Sequence, residues 1–138
     1  MDIENGEILY RYAKPKAFPE DQAEFPAYSL MDNNLSCDWA KYQGSPEDSI
    51  HVTEGKNLIV AICICDEVRN PRNPKGQGEI VAEWKQNIFH DPLEYEEGNK
   101  YTPNYAHSLI QGKKKAAVLA TIRENSSMRI VERGKAHS

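Results

Sequence analysis

The segment NLIVAICIC, residues 57–65, constrains the fold more than any other part of the chain. Eight apolar residues follow one another without a break, four of them β-branched, and polar or turn-forming residues bound the run. Such a run is typical of a strand that is covered on both faces. A buried helix is the alternative, but the segment is short for one. We therefore predict a core strand over residues 57–65.

Shorter patterns predict the elements around this strand. Residues 7–13 alternate and are rich in aromatic residues, which favours a first strand. Three prolines within residues 14–27 favour an extended loop. Residues 79–89 alternate between apolar and charged side chains, as a half-exposed strand does. Ser36 follows a turn signal and is expected to cap a short helical turn that begins at Cys37.

The C-terminal part of the chain has the apolar spacing of a helix. Residues 113–125 place Ala116, Val118, Leu119 and Ile122 at helical intervals, with basic residues around them. Together with the strands, this predicts one α+β domain over residues 1–138. We expect a small, mostly antiparallel sheet that packs against this C-terminal amphipathic helix.

Charge is distributed unevenly along the chain. Residues 111–138 hold seven Lys or Arg and two Asp or Glu, a net charge of +5. The remaining 110 residues hold ten basic and 19 acidic groups, a net charge of −9. This separation favours charge-guided docking to a partner, and a solvated terminal face is the alternative.

Cysteine use and hydropathy indicate the compartment. The three cysteines are odd in number, and two of them lie within the apolar run, unlike a secreted disulfide framework. No apolar stretch reaches the ~18 residues of a membrane span. The N-terminus is acidic, whereas a signal peptide begins with basic residues that an apolar segment follows. We expect a cytoplasmic protein with no membrane contact.

Two of the four histidines flank one long polar loop, FHDPLEYEEGNKYTPNYAHSLIQGKKK. His90 and His107 stand near the ends of the loop, which we place at residues 90–111. If the loop is an insertion, its ends meet, and the two imidazoles can act as general acid and general base near pH 7. Asn104 or Ser108 is then expected to orient a substrate oxygen.

Other residues near the loop are candidates for binding. Asp91 follows His90 directly, and Lys113, Lys114 and Lys115 could attract a phosphate. Trp39 is a candidate contact residue. The alternative, which stays open, is that both histidines only fix the loop by donating hydrogen bonds to backbone carbonyls.

Neither a metal nor a cofactor is expected. Besides the two loop histidines, the candidate ligands for a metal are Asp91, His51 and Cys37, and their spacing is not that of a metal site. The chain has no Walker phosphate loop, dinucleotide glycine pattern, nucleophile elbow or zinc-protease helix motif.

Four pieces of sequence together resemble a group of short, stand-alone bacterial proteins of unknown function. They are LSCDWAKY, the hydrophobic strand, HDP and NYAHSLIQG, in that order. The group shares a Leu-Ser-x-x-apolar start, a His-Asp-Pro and an Asn-x-x-His-x-x-Ile-x-Gly end. The resemblance covers about residues 8–125 and implies no activity. The acidic stretch between HDP and NYAH departs from the group.

Three functions remain in competition. The first is a bacterial protein-interaction module, an accessory or immunity-type component of a larger system, with a protein as partner. The second is a small phosphodiesterase or ribonuclease-like hydrolase that uses His90 and His107. The third is nucleic-acid binding through the basic C-terminal segment. The sequence favours the first and does not decide whether the protein is an enzyme or which oligomer it forms.

Overall fold

The computed structural model describes residues 2–13, 27–94 and 103–134. Six strands are present among them: β1 (Ile8–Ala13), β2 (Asn34–Trp39), β3 (Gly55–Cys63), β4 (Asn87–His90), β5 (His107–Gln111) and β6 (Ser126–Arg133). The helices are α1 (Asp66–Arg69) and α2 (Ala116–Glu124). The strands form one sheet in the order β4-β5-β2-β1-β3-β6, with antiparallel neighbours. The mixed α+β class is confirmed, in a form that the sheet dominates.

The core lies against one face of this sheet. Along β3, Leu58, Val60 and Ile62 alternate onto that face, and Leu9 of β1 stands opposite Ile62. Ile59, on the other face of β3, is buried as well. Each such side chain stabilises the fold by about 1.5–3 kcal/mol through the apolar surface that it removes from water. The helices add to the same cluster through Val68, Val118 and Ile122.

The strand predicted over residues 79–89 is wrong for its first part. A 3-10 turn occupies Ala82–Trp84, and regular strand pairing begins only at Asn87. The amide of Gln86 donates to the carbonyl of Arg69 at 2.9 Å, so the backbone before β4 bonds to the end of α1 and not to a strand. Ile80 is half exposed, and the alternation of residue types does not correspond to a buried face here.

Two further expectations from the sequence are also wrong. The predicted helical turn at Cys37 is part of β2, where Leu35, Cys37 and Trp39 all point into the core. The predicted histidine loop, residues 90–111, ends in strand β5, whose Ser108 and Ile110 are buried. Strands β2 and β5 are short, so their alternation of apolar and polar residues was a weaker signal than the turn-forming residues beside them.

Part of the predicted proline-rich loop, residues 14–27, lies outside the described residues. Its last residue begins a 3-10 turn, Ala27–Leu30. The last described element is β6, which pairs with β3 along its whole length. None of the helices in the described ranges is long and apolar enough to cross a membrane.

Strands β1 and β2 pair over only two residues and then separate. Leu9 stands opposite Trp39, and Tyr10 stands opposite Asp38. Beyond that point the guanidinium of Arg11 takes the place of strand pairing, since Nη1 donates to the carbonyl of Ser36 at 2.9 Å. The early end of the pairing leaves an opening in the middle of the sheet.

Candidate functional site

A cleft lies where β1 and β2 separate. Its volume is about 640 Å³, within the range of ordinary ligand sites. Its lining consists of Arg11, Tyr12, Ala13, Ser36, Cys37, Asp38, His51, Thr53, Leu93 and His107. Two imidazoles, one carboxylate, one guanidinium, one phenol and a serine hydroxyl thus meet in one concave space.

His107 bridges a hydroxyl and an aspartate at this cleft. Its Nδ1 lies 2.8 Å from the carbonyl oxygen of Asp91 and 3.2 Å from Oδ2 of the same residue. Its Nε2 lies 3.2 Å from Oγ of Ser36. A carbonyl oxygen can only accept, so Nδ1 carries the proton, and in neutral imidazole Nε2 is the acceptor. His107 is therefore oriented to take the proton of the Ser36 hydroxyl.

Register places these three residues together. His107 stands opposite Asp38 on β2, and Ser36 is two residues from Asp38 on the same strand. The side chains of His107 and Ser36 therefore lie on the same face of the sheet. Asp91 follows the last pair of β4 with β5, and its amide donates to the carbonyl of His107 at 2.8 Å. The side chain of His107 is 14% exposed, and Ser36 is open to solvent. The hydroxyl is thus accessible while its partner imidazole is held.

Asp38 forms a second polar group in the cleft. Its residue is 2% exposed, and Oδ1 accepts a 2.6 Å hydrogen bond from Nδ2 of Asn104. Oδ2 is buried with no hydrogen-bond partner in the described part of the chain. Nε2 of His51 lies 3.6 Å from Oδ2, within ion-pair range but too long for a hydrogen bond. A buried carboxylate with one unsatisfied oxygen is costly unless a donor reaches it.

Tyr12 completes this group. Its ring centroid is 5.2 Å from that of His51, and its hydroxyl is buried without a hydrogen bond among the described residues. Burial strongly raises the pKa of Tyr12, and the negative charge of Asp38 raises it further. Ser49 acts in the opposite direction, although it lies outside hydrogen-bond geometry. Tyr12 is therefore a neutral phenol at physiological pH.

His90, predicted to pair with His107, lies on the other face of the sheet. It stands opposite Ser108, the neighbour of His107, and alternation turns the two imidazoles to opposite faces. Its Nε2 is 2.5 Å from the carbonyl oxygen of Tyr105. Its ring stacks on Tyr42, with centroids 5.4 Å apart. His90 thus fixes an aromatic cluster, and the histidine that shares the cleft with His107 is His51.

The other residues predicted for substrate contact have internal partners. Asn104 bonds to Asp38, and its Oδ1 accepts from the amide of Ala106 at 3.1 Å. Ser108 is fully buried and donates to the carbonyl of Ala106 at 3.1 Å. Trp39 is 1% exposed, and its indole donates to Glu7 at 2.8 Å. Asp91 is the predicted binding residue that the structure brings to His107.

The three predicted phosphate-binding lysines do not line the cleft. Lys113 and Lys115 are exposed, whereas Nζ of Lys114 donates to the carbonyls of Ile110 and Gly112 at 3.0 and 2.9 Å. Burial lowers the pKa of Lys114 to about 8.

Two arginines of the basic segment are also bound within the fold. Arg129 forms an ion pair with the carboxylate of Glu47, and Arg133 donates to the carbonyl of Val52 at 2.8 Å. Lys135 lies outside the described residues. Much of the C-terminal positive charge thus serves internal contacts.

Cys37 borders the cleft, but its side chain points into the core and is 2% exposed, and burial raises the pKa of its thiol to about 12. A thiol in that state is a poor nucleophile and a poor metal ligand. No group of three or more His, Cys, Asp or Glu within residues 2–13, 27–94 and 103–134 could hold a metal ion.

Of the residues that line the cleft, only His107 belonged to the predicted site; Ser36, Asp38, His51 and Arg11 are among those that were absent from it. The sequence showed the hydroxyl of Ser36, the carboxylate of Asp38 and the basic side chains, each on a short segment. Their meeting depends on the pairing of β2 with β1 and β5, and no single motif encodes that pairing.

No protein family, curated protein or solved structure matches the chain.

Proposed function

We propose that this protein is a small hydrolase that cleaves carboxylic esters with Ser36 as nucleophile. The observation that carries the proposal is the position of His107 between Ser36 Oγ and Asp91, with Nδ1 protonated and Nε2 free to accept. A nucleophile, a base and a residue that orients the base are the three parts of such a site.

The chemistry follows from these contacts. His107 Nε2 takes the hydroxyl proton as Ser36 Oγ attacks the ester carbonyl carbon, and Asp91 stabilises the imidazolium that forms. His107 then gives that proton to the departing alkoxide, and the acyl group stays on Ser36. Water, deprotonated by the same imidazole, releases the acid. Arg11 lines the same cleft and supplies positive charge near the oxyanion.

A fluorophosphonate probe tests the nucleophile directly, because it reacts with activated serines and needs no substrate. We expect covalent labelling of Ser36, located by peptide mass spectrometry. Ser36→Ala should remove the label, and His107→Gln should reduce its rate at least ~100-fold, the usual range for general-base catalysis.

Matched controls come from other strands of the same sheet. His90→Gln changes an imidazole on the opposite face, and Ser127→Ala removes an exposed hydroxyl on β6; both should label at the wild-type rate. Labelling spread over several serines, or an unchanged rate in His107→Gln, would contradict the proposal. Turnover of bis(p-nitrophenyl) phosphate but of no carboxylic ester would move the substrate class to phosphodiesters.

A second candidate function is protein binding, for which the outer edge of β6 is the supporting observation. β6 is an eight-residue edge strand, and Ile130 on it is 41% exposed. Exposed strand edges are templates for strand addition by another chain. In this proposal the protein is an accessory, cytoplasmic component that docks a partner strand there.

Affinity capture with two matched variants tests this candidate. Ile130→Glu places a charge on the edge strand, whereas Met31→Glu changes another exposed apolar residue that lies outside it. A partner, or a second copy of this chain, that is lost with Ile130→Glu and retained with Met31→Glu would support docking at β6. Equal capture by both variants would exclude that edge.

A further inference from the structure

We propose that the cleft binds a primary ammonium group of the substrate on Asp38, beside the Ser36 hydroxyl. The inference deepens the proposed ester hydrolysis and rests on it for the reaction, although the ammonium site itself can be tested without turnover. It identifies the substrate class as an ester whose acyl chain carries an amine.

The unsatisfied oxygen of Asp38 is the first reason. Asp38 lines the cleft, is 2% exposed, and holds Oδ2 buried without a hydrogen-bond donor among the described residues. An ionised carboxylate in this position needs a positive or strongly donating partner. Nε2 of His51 is 3.6 Å from Oδ2, too far for a hydrogen bond, and the side chain of His51 is 44% exposed, so a rotation of this imidazole would open Oδ2 to a donor.

The hydrogen bond already made by Oδ1, the second oxygen of Asp38, favours an ammonium group over a guanidinium. Oδ1 is already engaged by Asn104 at 2.6 Å. A guanidinium binds a carboxylate best through two parallel bonds to both oxygens, and here one oxygen is taken. An ammonium is a compact charge that needs one oxygen at a time.

The rings beside Asp38 suit a cation. Tyr12 and His51 have centroids 5.2 Å apart, and the buried hydroxyl of Tyr12 lacks a hydrogen-bond partner in the described residues. A phenol oxygen accepts from an ammonium, and the ring face attracts one. Carboxylate, phenol and ring together can satisfy the donors of –NH₃⁺.

The strand sets the distance between the two ends of the substrate. Ser36 and Asp38 are two residues apart on β2, so their Cα atoms are separated by roughly 6.5 Å and their side chains share a face. An amine at the end of a short alkyl acyl chain spans that separation when its carbonyl carbon is at Ser36.

Two p-nitrophenyl esters of matched shape provide the test: the ε-aminocaproate, which ends in an ammonium, and the heptanoate, which ends in a methyl group. We expect the wild type to prefer the amino ester in kcat/KM by about ten- to a hundredfold, the effect of a hydrogen bond to a charged group. Asp38→Asn keeps an acceptor for Asn104 and removes the charge, and it should reduce the ratio of kcat/KM for the amino ester to that for the heptanoate to about one. Circular dichroism confirms that the variant is folded.

The outcomes separate the two proposals. Equal rates for both esters, with Ser36 labelled by the fluorophosphonate, would overturn the ammonium site and leave the hydrolase standing. If neither ester is turned over, butylammonium chloride and neutral butanamide are added to ¹⁵N-labelled protein. Amide shifts around Asp38 and His51 with butylammonium alone would retain the ammonium site and overturn the hydrolase, whereas no selective shift would overturn both.

Discussion

Nδ2 of Asn104 lies 2.6 Å from Oδ1 of Asp38, and this bond joins the turn before β5 to the buried carboxylate on β2. Asn104 also accepts a hydrogen bond from the amide of Ala106, so one side chain fixes both the turn before β5 and the carboxylate of Asp38 in the cleft. Asn104→Ala should lower the free energy of unfolding by about 2 kcal/mol, because it leaves a buried charge without its donor.

Asn34→Ala is the control for this substitution. Asn34 is exposed, and its Oδ1 accepts from Gln111, so its loss should cost about 0.5 kcal/mol or less. Urea denaturation of both variants measures the difference. Equal destabilisation would show that the bond to Asp38 contributes no more than a surface contact.

The three cysteines should differ in reactivity. Cys37 is buried, and burial raises its pKa to about 12, so almost none of it is thiolate at pH 8. Cys63 and Cys65 are partly exposed. Iodoacetamide at pH 8 should therefore modify at most two thiols of the folded protein and all three in urea, as counted by intact mass. Modification of Cys37 at the rate of Cys63 would contradict its burial.

Lys114 should make the stability of the protein depend on pH. Its pKa is about 8 in the fold, against 10.5 for an ordinary lysine, because burial disfavours the charged form. Between those values the unfolded chain holds more protons than the folded one, so stability rises with pH. Below pH 8 the burial penalty is fully present.

Variants isolate this effect. The stability of the wild type relative to Lys114→Met should increase from near pH 7.5 to near pH 9.5 in urea titrations. The exposed Lys113→Met and Lys115→Met are the controls, and their differences from wild type should stay flat. A flat difference for Lys114→Met as well would contradict the burial of its amine.

Gly112 should tolerate no side chain. A Cβ there would lie 2.6 Å from Nε2 of Gln86 and 2.7 Å from the carbonyl oxygen of Lys85. Gln86 is itself buried and bonded to the carbonyls of Trp84 and Lys113, so it cannot move aside freely. Gly112→Ala should cost about 1–3 kcal/mol through this overlap.

Gly44→Ala is the matched control, because nothing lies within 4 Å of its Cβ position. It should change stability by less than about 0.5 kcal/mol. Thermal melting compares the two variants. A small effect at Gly112 would mean that the Lys85 carbonyl and the Gln86 side chain yield to the added methyl group.

Sequence patterns predicted the fold class better than they predicted the residues of the candidate site. The apolar run around Leu58, Val60 and Ile62 indicates a buried strand, because burial on both faces leaves a local signature. Ser36 has no such signature. A serine on an exposed strand position resembles a serine that caps a helix until the strand pairing is known.

The histidines show the same limit. Sequence placed His90 and His107 at the ends of one loop, and the structure puts them on neighbouring strands. Their faces depend on a register in which His90 stands opposite Ser108, and a slip of one residue would place both imidazoles on the same face. Asp38 and Asn104 are 66 positions apart, a separation that local patterns do not reach.

The short pairing of β1 with β2 means that the main chain creates the cleft. Two pairs, at Leu9 and Tyr10, hold the strands together, and the opening begins where the pairs end. Side chains along its walls can therefore be exchanged without closing it. Under the proposed function, an altered substrate preference needs only new residues at Asp38 or His51, whereas two further pairs of β1 with β2 would turn the cleft into uninterrupted sheet.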